Sequence, residues 1–296
     1  MSDHTRRSFI GTLLTATGVA SFARVASRNP PAWQIGCYTR PWGKLDYRVA
    51  LDEIASAGFK YAGLMTSATG TVLTADLTPE EAAAIGREVK SRGLSLCSAW
   101  AGRFPVEKSI DAGVAGLRRL IDNAVSCGCP NLLLGGTNEK LQAAYYKVVA
   151  ECCPYAAEMK IGLSVKPHGG GNANGAQCRR LIEKVGHKNF GLWYDPGNIL
   201  YYSEGKLDPV EDAAAVDGLV VGLCVKDFKP PKVVNLTPGT GQVDFLRVLA
   251  RLRQGGFNRG ALVVECLTPG DLPQLRTEAV KARTFMDQLL KSPNLM

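Results

Sequence analysis

The feature that most constrains the fold of this chain is a regular alternation between two kinds of segment. Short apolar, β-prone runs begin near Trp33, Lys60, Leu94, Asn131, Ile161, Phe190, Leu219 and Ala261. Between them, apolar residues recur every three or four positions, which predicts helices at Tyr47–Ala57, Glu80–Ser91, Gly113–Ser126, Leu141–Met159, Ala176–Val185, Phe245–Arg253 and Leu275–Leu290. Glycines follow the helical segments, and we expect them to cap helices in the left-handed conformation. They are Gly58, Gly93, Gly128, Gly162, Gly186, Gly218 and Gly256.

Eight predicted strands, each followed by a helix or a helical stretch, predict an α/β fold made of one (β/α)8 barrel, over residues 33–291. The strand starts are about 33 residues apart on average, close to the ~31 expected when ~250 residues form eight units. Runs such as Leu132–Leu134 and Leu262–Val264 are apolar throughout, as parallel strands covered by helices on both faces are. Two open doubly wound domains would require a linker in mid-chain, and none is visible.

The first residues have the pattern of an export signal. Arg6 and Arg7 precede an apolar stretch, Gly11–Val19, which small residues around Ala23 follow. This order is typical of a secretory signal that is too short to span a membrane. The paired arginines resemble the twin-arginine type, and a chance pair ahead of a Sec-type signal is the alternative. We expect residues 1–26 to be the signal, and the mature protein to be periplasmic without a membrane segment.

Composition excludes several classes of protein. The chain is 46% hydrophobic and 21% charged, values of an ordinary globular protein. Its net charge of +8 is spread over helical segments, which indicates a solvated basic surface and no nucleic-acid partner. The nine cysteines are an odd number, and several lie in apolar runs, where cysteine behaves as a small hydrophobe. The sequence carries no signal for oligomeric state.

Charged residues directly follow four consecutive strands. Lys166 ends the fifth strand, Asp195 the sixth, Lys226 and Asp227 the seventh, and Glu265 the eighth. Barrel enzymes carry their sites at the carboxyl ends of the strands, so we expect these side chains to converge. A ring of structural salt bridges is the alternative, although converging charges at this rim are more often functional.

A second set of candidates lies on the loops after the strands. His168 follows the fifth strand beside three glycines, which allow a ligand to approach closely. Tyr38, Arg40 and Trp42 follow the first strand, and Trp100 ends the third. Aromatic rings with a few polar groups suit the faces and hydroxyls of a sugar, so we predict substrate contacts here. Packing at the rim is the alternative.

Together these segments resemble the xylose-isomerase-like barrel superfamily, which includes sugar isomerases and epimerases, inosose dehydratase and endonuclease IV. The resemblance extends from about Trp33 to Met286. It rests on the order of Gly58-Phe59, the His168-Gly169 pair, Tyr194–Asn198, Val225–Asp227, Pro238–Gly241, Val243–Phe245 and Val264-Glu265. It implies a divalent metal held by Glu, Asp, His and Glu on strands five to eight, with the two glutamates moving protons beside a sugar carbon.

This chain departs from the pattern at two of those four positions. Asp195 and Glu265 match family ligands, whereas Lys166 replaces the strand-five Glu and Cys224 the strand-seven His. A protonated amine cannot ligate a cation. We therefore expect either no cofactor or a weakly bound divalent metal, with Mn2+, Mg2+ and Zn2+ all open. Protonated Lys166 can replace the positive charge of the metal. With a pKa lowered by burial, it would instead be a general base or a Schiff-base amine.

The resemblance implies an isomerase or epimerase that abstracts a proton next to the carbonyl of a small sugar or cyclic polyol. We assign catalysis to Glu265, Lys166 and His168, and substrate contacts to Asp195, Lys226 and the loop residues above. A keto-sugar lyase or dehydratase, which shares the first step, is one alternative. A non-catalytic, carbohydrate-binding barrel without its metal is another. The three histidines of the chain are too few for a trinuclear zinc nuclease.

Overall fold

Eight parallel strands close into a barrel in the computed structural model, which describes residues 33–295. The strands are β1 (Gln34–Tyr38), β2 (Tyr61–Leu64), β3 (Ser95–Trp100), β4 (Asn131–Leu134), β5 (Gly162–Val165), β6 (Phe190–Tyr194), β7 (Val220–Val225) and β8 (Ala261–Val264). Each strand pairs with its neighbours in sequence, and β1 pairs with β8, Gln34 opposite Ala261, which closes the sheet. The predicted (β/α)8 barrel is confirmed, with every strand starting within about one residue of the expected position.

Helices surround the barrel. They are α1 (Tyr47–Ser56), α2 (Pro79–Ser91), α3 (Ile110–Cys127), α4 (Glu139–Glu158), α5 (Gly175–Val185), α6 (Pro196–Ser203), α7 (Pro209–Asp212), α8 (Phe245–Gln254) and α9 (Leu272–Leu290). The periodicity predicted all of these except α6 and α7, and it also missed a small hairpin of Thr66–Ser67 and Gly70–Thr71. No helix in residues 33–295 is both long and apolar enough to cross a membrane.

Local chemistry fixes where the helices begin and end. At α2, the Thr78 hydroxyl accepts from the Glu81 N–H while the Glu81 carboxylate accepts from the Thr78 N–H, so two free N–H groups are satisfied. Gly128 and Gly186 cap α3 and α5 in the left-handed conformation, as predicted. The prediction for Gly162 was wrong, because Gly162 lies in β5. After α4 the left-handed residue is Lys160, with φ of 60°.

The core has two parts. One fills the barrel interior, where the Trp193 ring packs against Gly222, at which any side chain would collide with the ring. The other lies between the strands and the surrounding helices. All nine cysteines are free and buried, and most belong to these two apolar clusters. The predicted export signal, residues 1–26, lies outside the residues that the structure describes.

Candidate active site

Lys166 lies at the centre of a buried cluster at the carboxyl end of the barrel. Its Nζ donates to Glu265 Oε2 at 2.5 Å and to Asp195 Oδ2 at 3.1 Å, and it lies 4.0 Å from Cys224 Sγ. Lys166, Asp195 and Glu265 directly follow β5, β6 and β8, and Cys224 lies near the end of β7. Four adjacent strands therefore deliver one ammonium, two carboxylates and a thiol to a single point, as the sequence predicted for the charged residues.

Glu265 has polar partners at both carboxylate oxygens. Oε2 accepts from Lys166 and from the Cys224 thiol at 3.0 Å, and Oε1 accepts from Lys226 Nζ at 3.1 Å and Arg40 Nη1 at 3.5 Å. Burial alone would raise the pKa of Glu265, but the charges of Lys166, Lys226 and Arg40 outweigh burial and hold the pKa well below its usual range. Glu265 is therefore ionised at neutral pH and faces three cations.

Asp195 has both a structural and an electrostatic partner. Its Oδ1 accepts from the Asn198 N–H at 2.9 Å and so caps the first turn of α6, while Oδ2 accepts from Lys166. Burial raises the pKa of Asp195 above its usual value, and the charges of Lys166 and Lys226 only partly counteract this rise. The Asp-Pro start of α6 thus fixes one oxygen on the helix and leaves the other for Lys166.

The protonation states follow from these contacts. Burial alone would lower the pKa of Lys166, but the carboxylates of Glu265 and Asp195 beside it reverse the shift and place the pKa well above its usual value. For Cys224, burial itself raises the pKa above its usual value, so the thiol is neutral at pH 7. Lys166 is therefore an ammonium. Its role as a general base or Schiff-base amine required a lowered pKa, and the shift is in the opposite direction.

His168 lies at the side of this cluster. Part of the residue is open to solvent, while the Trp100 ring centroid lies 5.4 Å and the Tyr202 centroid 6.1 Å from the centroid of the imidazole. The protein packed around the ring, followed by the charge of Lys166, lowers the pKa of His168 to about 4. At neutral pH the imidazole is uncharged, so one nitrogen can donate a hydrogen bond and the other can accept one.

Three cavities open around the cluster. One of about 830 Å3 has Trp100, Phe104, Tyr145 and His168 in its wall. A second, of about 680 Å3, reaches Arg40 and Glu265. The third, of about 450 Å3, lies between Arg40, His168 and Lys226 and the residues of α6. Because His168 and Arg40 are each shared by two cavities, we treat the three as one cleft.

The structure does not bring all the predicted residues into the cleft. Tyr38, predicted to contact substrate, is instead fully buried inside the barrel, because the last residue of β1 points inward over Gly63. Trp42 is 1% exposed and packs mainly in the outer core, at the edge of the second cavity. Asp227 points away from Lys226 and accepts from the N–H groups of residues 228, 239, 241 and 243.

Three further residues were missed as site residues. Asn172 donates to the Lys166 carbonyl at 2.8 Å, and Asn198 donates to the Pro167 carbonyl at 2.6 Å, so together they hold the loop that carries Lys166 and His168. Tyr202 lies on α6 beside His168. The Asp195-Pro196 pair was the available signal, since Asp at the N-cap and Pro at the first position mark the start of a helix.

The donor set does not fit a divalent metal. The oxygen and sulfur atoms of Asp195, Cys224 and Glu265 lie within 4.8 Å of one another, as metal ligands do. However, the ammonium of Lys166 contacts both carboxylates and lies within 4.0 Å of the thiol, in the space that an ion would need. It has no lone pair to offer and repels a second cation.

Comparisons with known proteins agree with the barrel fold. The sequence matches the family described as xylose isomerase-like TIM barrel over residues 51–289. Among solved structures, D-psicose 3-epimerase with D-tagatose from Clostridium cellulolyticum H10 has a TM-score of 0.71 at 13% identity, covering 88% of this chain and 100% of its own. The xylose isomerase domain protein from Planctomyces limnophilus has a TM-score of 0.68 at 20% identity, covering 88% and 98%.

A xylose isomerase-like TIM barrel protein from Mycobacterium smegmatis, solved in complex with magnesium, has a TM-score of 0.70 at 17% identity, covering 90% of this chain and 98% of its own. No curated protein matches the sequence. At these identities the likeness establishes the fold.

Proposed function

The chain belongs to the xylose isomerase-like TIM barrel family, and from this premise we propose that it is an isomerase- or epimerase-type enzyme. Its reaction moves a proton next to the carbonyl of a sugar or cyclic polyol, without a resident metal. One observation carries the proposal: at the cleft, Glu265 Oε1 lies within 3.1 Å of Lys226 Nζ and 3.5 Å of Arg40 Nη1. A base and two electrophilic groups are therefore adjacent.

Substrate binding separates Glu265 Oε1 from the two cations that it contacts in the free protein. The carbonyl oxygen of the substrate takes the hydrogen bonds of Lys226 and Arg40, which leaves Glu265 Oε1 without its cations. Because those cations depress its pKa, the carboxylate becomes a stronger base when they turn to the substrate. Glu265 then takes the proton from the carbon next to the carbonyl, and the two cations stabilise the negative oxygen that forms.

Lys166 positions the base. Its ammonium stays bonded to Glu265 Oε2 and Asp195 Oδ2, and it holds the two carboxylates together where family members use a metal. Neutral His168 borders the same cavity as Lys226 and Arg40 and hydrogen-bonds the substrate hydroxyl next to the carbonyl. Protonated Glu265 returns the proton to the neighbouring carbon in an isomerisation. In an epimerisation His168 relays a proton to the opposite face of the carbon, one nitrogen releasing its proton as the other takes one from solvent, and Glu265 then loses its own proton to solvent.

Two other functions use parts of the same site. A keto-sugar lyase begins with the same proton abstraction and then expels a hydroxyl or alkoxyl group from the next carbon. A carbohydrate-binding barrel without catalysis is favoured by a different observation, namely that both oxygens of Glu265 are occupied by cations and a thiol. The residues 1–26 support a further part of the proposal, export to the periplasm through the paired arginines.

Solvent exchange separates catalysis from binding. The purified protein is incubated with keto-sugars in D2O, and deuterium at the carbons next to the carbonyl is followed by NMR. We expect exchange in the wild type and a decrease of about 100-fold or more in Glu265→Gln, because a positioned base contributes about 10²–10⁴-fold. Glu183→Gln, the same change at an exposed helix position, is expected to exchange normally. Sugar binding without exchange in the wild type would indicate the binding barrel instead.

A further inference from the structure

The charges of the buried cluster do not cancel. Three cations, Lys166, Lys226 and Arg40, face two carboxylates, Asp195 and Glu265. All three cations converge on Glu265, and two of the three, Lys166 and Lys226, are 1% and 5% exposed. The cluster therefore carries one positive charge in excess at the base of the cleft.

The other charged groups around the cleft do not supply the missing negative charge. Glu107 and Asp271 lie in the walls of the two larger cavities, but each of these walls also contains a basic residue, Arg103 or Lys44. Asp227 directs its carboxylate to four backbone N–H groups. Lys232, at the outer edge, pairs with Glu204 at 3.0 Å. The thiols of Cys224 and Cys266 have raised pKa values, about 11 for Cys266, and are neutral at pH 7. The third cation, Arg40, shares Glu265 with the two lysines and is partly exposed, so an anion that enters the cleft can pair with it.

We propose that the substrate is an acid sugar whose single carboxylate adjoins the reacting carbonyl, so that Lys226 and Arg40 together bind the carboxylate and the carbonyl oxygen. This inference rests on the proposed function and adds the substrate class to it. Both groups border the cavity of about 450 Å3, and the Arg40 side chain is 32% exposed there. Arg40 contacts Glu265 and Cys266 through Nη1, and a planar guanidinium fits a carboxylate with two parallel hydrogen bonds.

The amount of excess charge favours a carboxylate over a phosphate. A carboxylate adds one negative charge and makes the cluster neutral, whereas a phosphomonoester carries about −1.5 to −2 at pH 7 and overcompensates. The environment of His168 agrees with a positive field in this cavity. After burial, the charges of Lys166, Lys226 and Arg40 act to lower its pKa, and Glu265 alone opposes them among its main neighbours.

Binding of matched pairs tests the proposal. Calorimetric titration compares D-glucuronate with D-glucose, D-galacturonate with D-galactose, and D-gluconate with sorbitol, each at low and high salt. We expect at least one acid to bind about tenfold to hundredfold more tightly than its neutral partner, as a charge-assisted hydrogen bond provides. Lys226→Met is expected to abolish most of that preference. Lys229→Met, the same change at an exposed position three residues later, is expected to keep it.

The outcomes also separate this inference from the proposed function. Lack of preference for the acid in all three pairs overturns the acid-sugar assignment, and tighter binding of D-glucose 6-phosphate than of any acid assigns a phosphate instead. In both cases deuterium exchange with a neutral keto-sugar would leave the isomerase proposal intact. Conversely, a Lys226-dependent preference for an acid, with no exchange into any substrate, supports the anion site and overturns catalysis.

Discussion

The two halves of the barrel rim differ in the residues that follow their strands, which are charged in one half and uncharged in the other. Strands β5 to β8 lead into Lys166, Asp195, Lys226 and Glu265, all buried and all paired. Strands β2 to β4 lead into the uncharged residues Met65, Trp100 and Gly135. The latter two border the cavity of about 830 Å3, to whose wall the loop after β3 adds Arg103 and Glu107. The charged half concentrates the groups that can polarise a substrate. The uncharged half supplies a wide wall for the rest of the substrate.

The difference shows how each half tolerates change. Lys166, Asp195, Lys226 and Glu265 pair with one another, so removal of Lys166 leaves Asp195 buried without its ion-pair partner. In the uncharged half, truncation of an aromatic ring beside the cavity removes contacts but leaves no buried charge without a partner. We therefore expect substitutions in the charged half to affect stability and chemistry together, and those in the uncharged half to act mainly on the environment of the ligand.

The largest expected effect is that of Lys166→Met. Loss of the ammonium leaves Asp195 and Glu265 buried beside each other, at a cost of about 3–5 kcal/mol. Denaturant unfolding at pH 7 measures it, with Lys184→Met on the exposed side of α5 as the control. Addition of Asp195→Asn and Glu265→Gln is expected to recover much of the loss. A change below about 1 kcal/mol in the single variant would mean that the charged half is not held by mutual pairing.

The second prediction concerns the metal. We expect the wild type to bind Mn2+ weakly or not at all and to keep its activity after chelation, because the ammonium occupies the position of an ion. Lys166→Glu restores a carboxylate at this position and is expected to raise Mn2+ affinity tenfold or more while abolishing the native reaction. Addition of Cys224→His is expected to strengthen binding further, since imidazole is a good ligand for first-row divalent metals.

Titration calorimetry with Mn2+ measures both variants against the wild type. Tight binding by the wild type, together with loss of activity on chelation, would contradict the replacement of the metal by Lys166. It would require the ammonium to move out of the cluster.

The smallest expected effect lies where the two halves meet. Burial is the main cause that holds the pKa of His168 near 4, and the charge of Lys166 follows. Trp100→Ala opens one side of the ring and is expected to raise this pKa towards its unperturbed value of about 6.5. Lys226→Met removes a single cation and is expected to raise it less. NMR titration of the imidazole measures both, with His168→Asn to assign the signal. A larger rise in Lys226→Met would show that the charged half controls His168.

Most of the fold was predictable from the sequence because it depends on local patterns. Apolar runs such as Leu132–Leu134 are buried in β4, and amphipathic spacing gave the long helices. Helix α6 was missed because its eight residues are largely apolar on all sides, without the periodicity of a surface helix. Its start was nonetheless encoded in Asp195-Pro196. The conformation of Lys160 was not, since left-handed non-glycine residues have no strong sequence signal.

The candidate site was only partly predictable. The sequence indicated that Lys166, Asp195, Lys226 and Glu265 lie at one rim, because strand order in a barrel follows chain order. It also indicated that Lys166 and Cys224 replace family ligands. The direction of the pKa shift of Lys166 was not predictable, because it depends on a distance of 2.5 Å to a carboxylate 99 residues away.

Asp195 and Asp227 show what the sequence determined and what only the tertiary structure decided. Each is a buried carboxylate shortly after an apolar strand, and local pattern alone does not distinguish them, although only Asp195 matches a family ligand. In the folded chain Asp195 pairs with Lys166, whereas Asp227 binds the backbone of the loop at residues 239–243. The sequence places a charge at the rim through local pattern. Its partner is set by side-chain direction and by loops distant in sequence, because electrostatic interactions depend on distance in space and not along the chain.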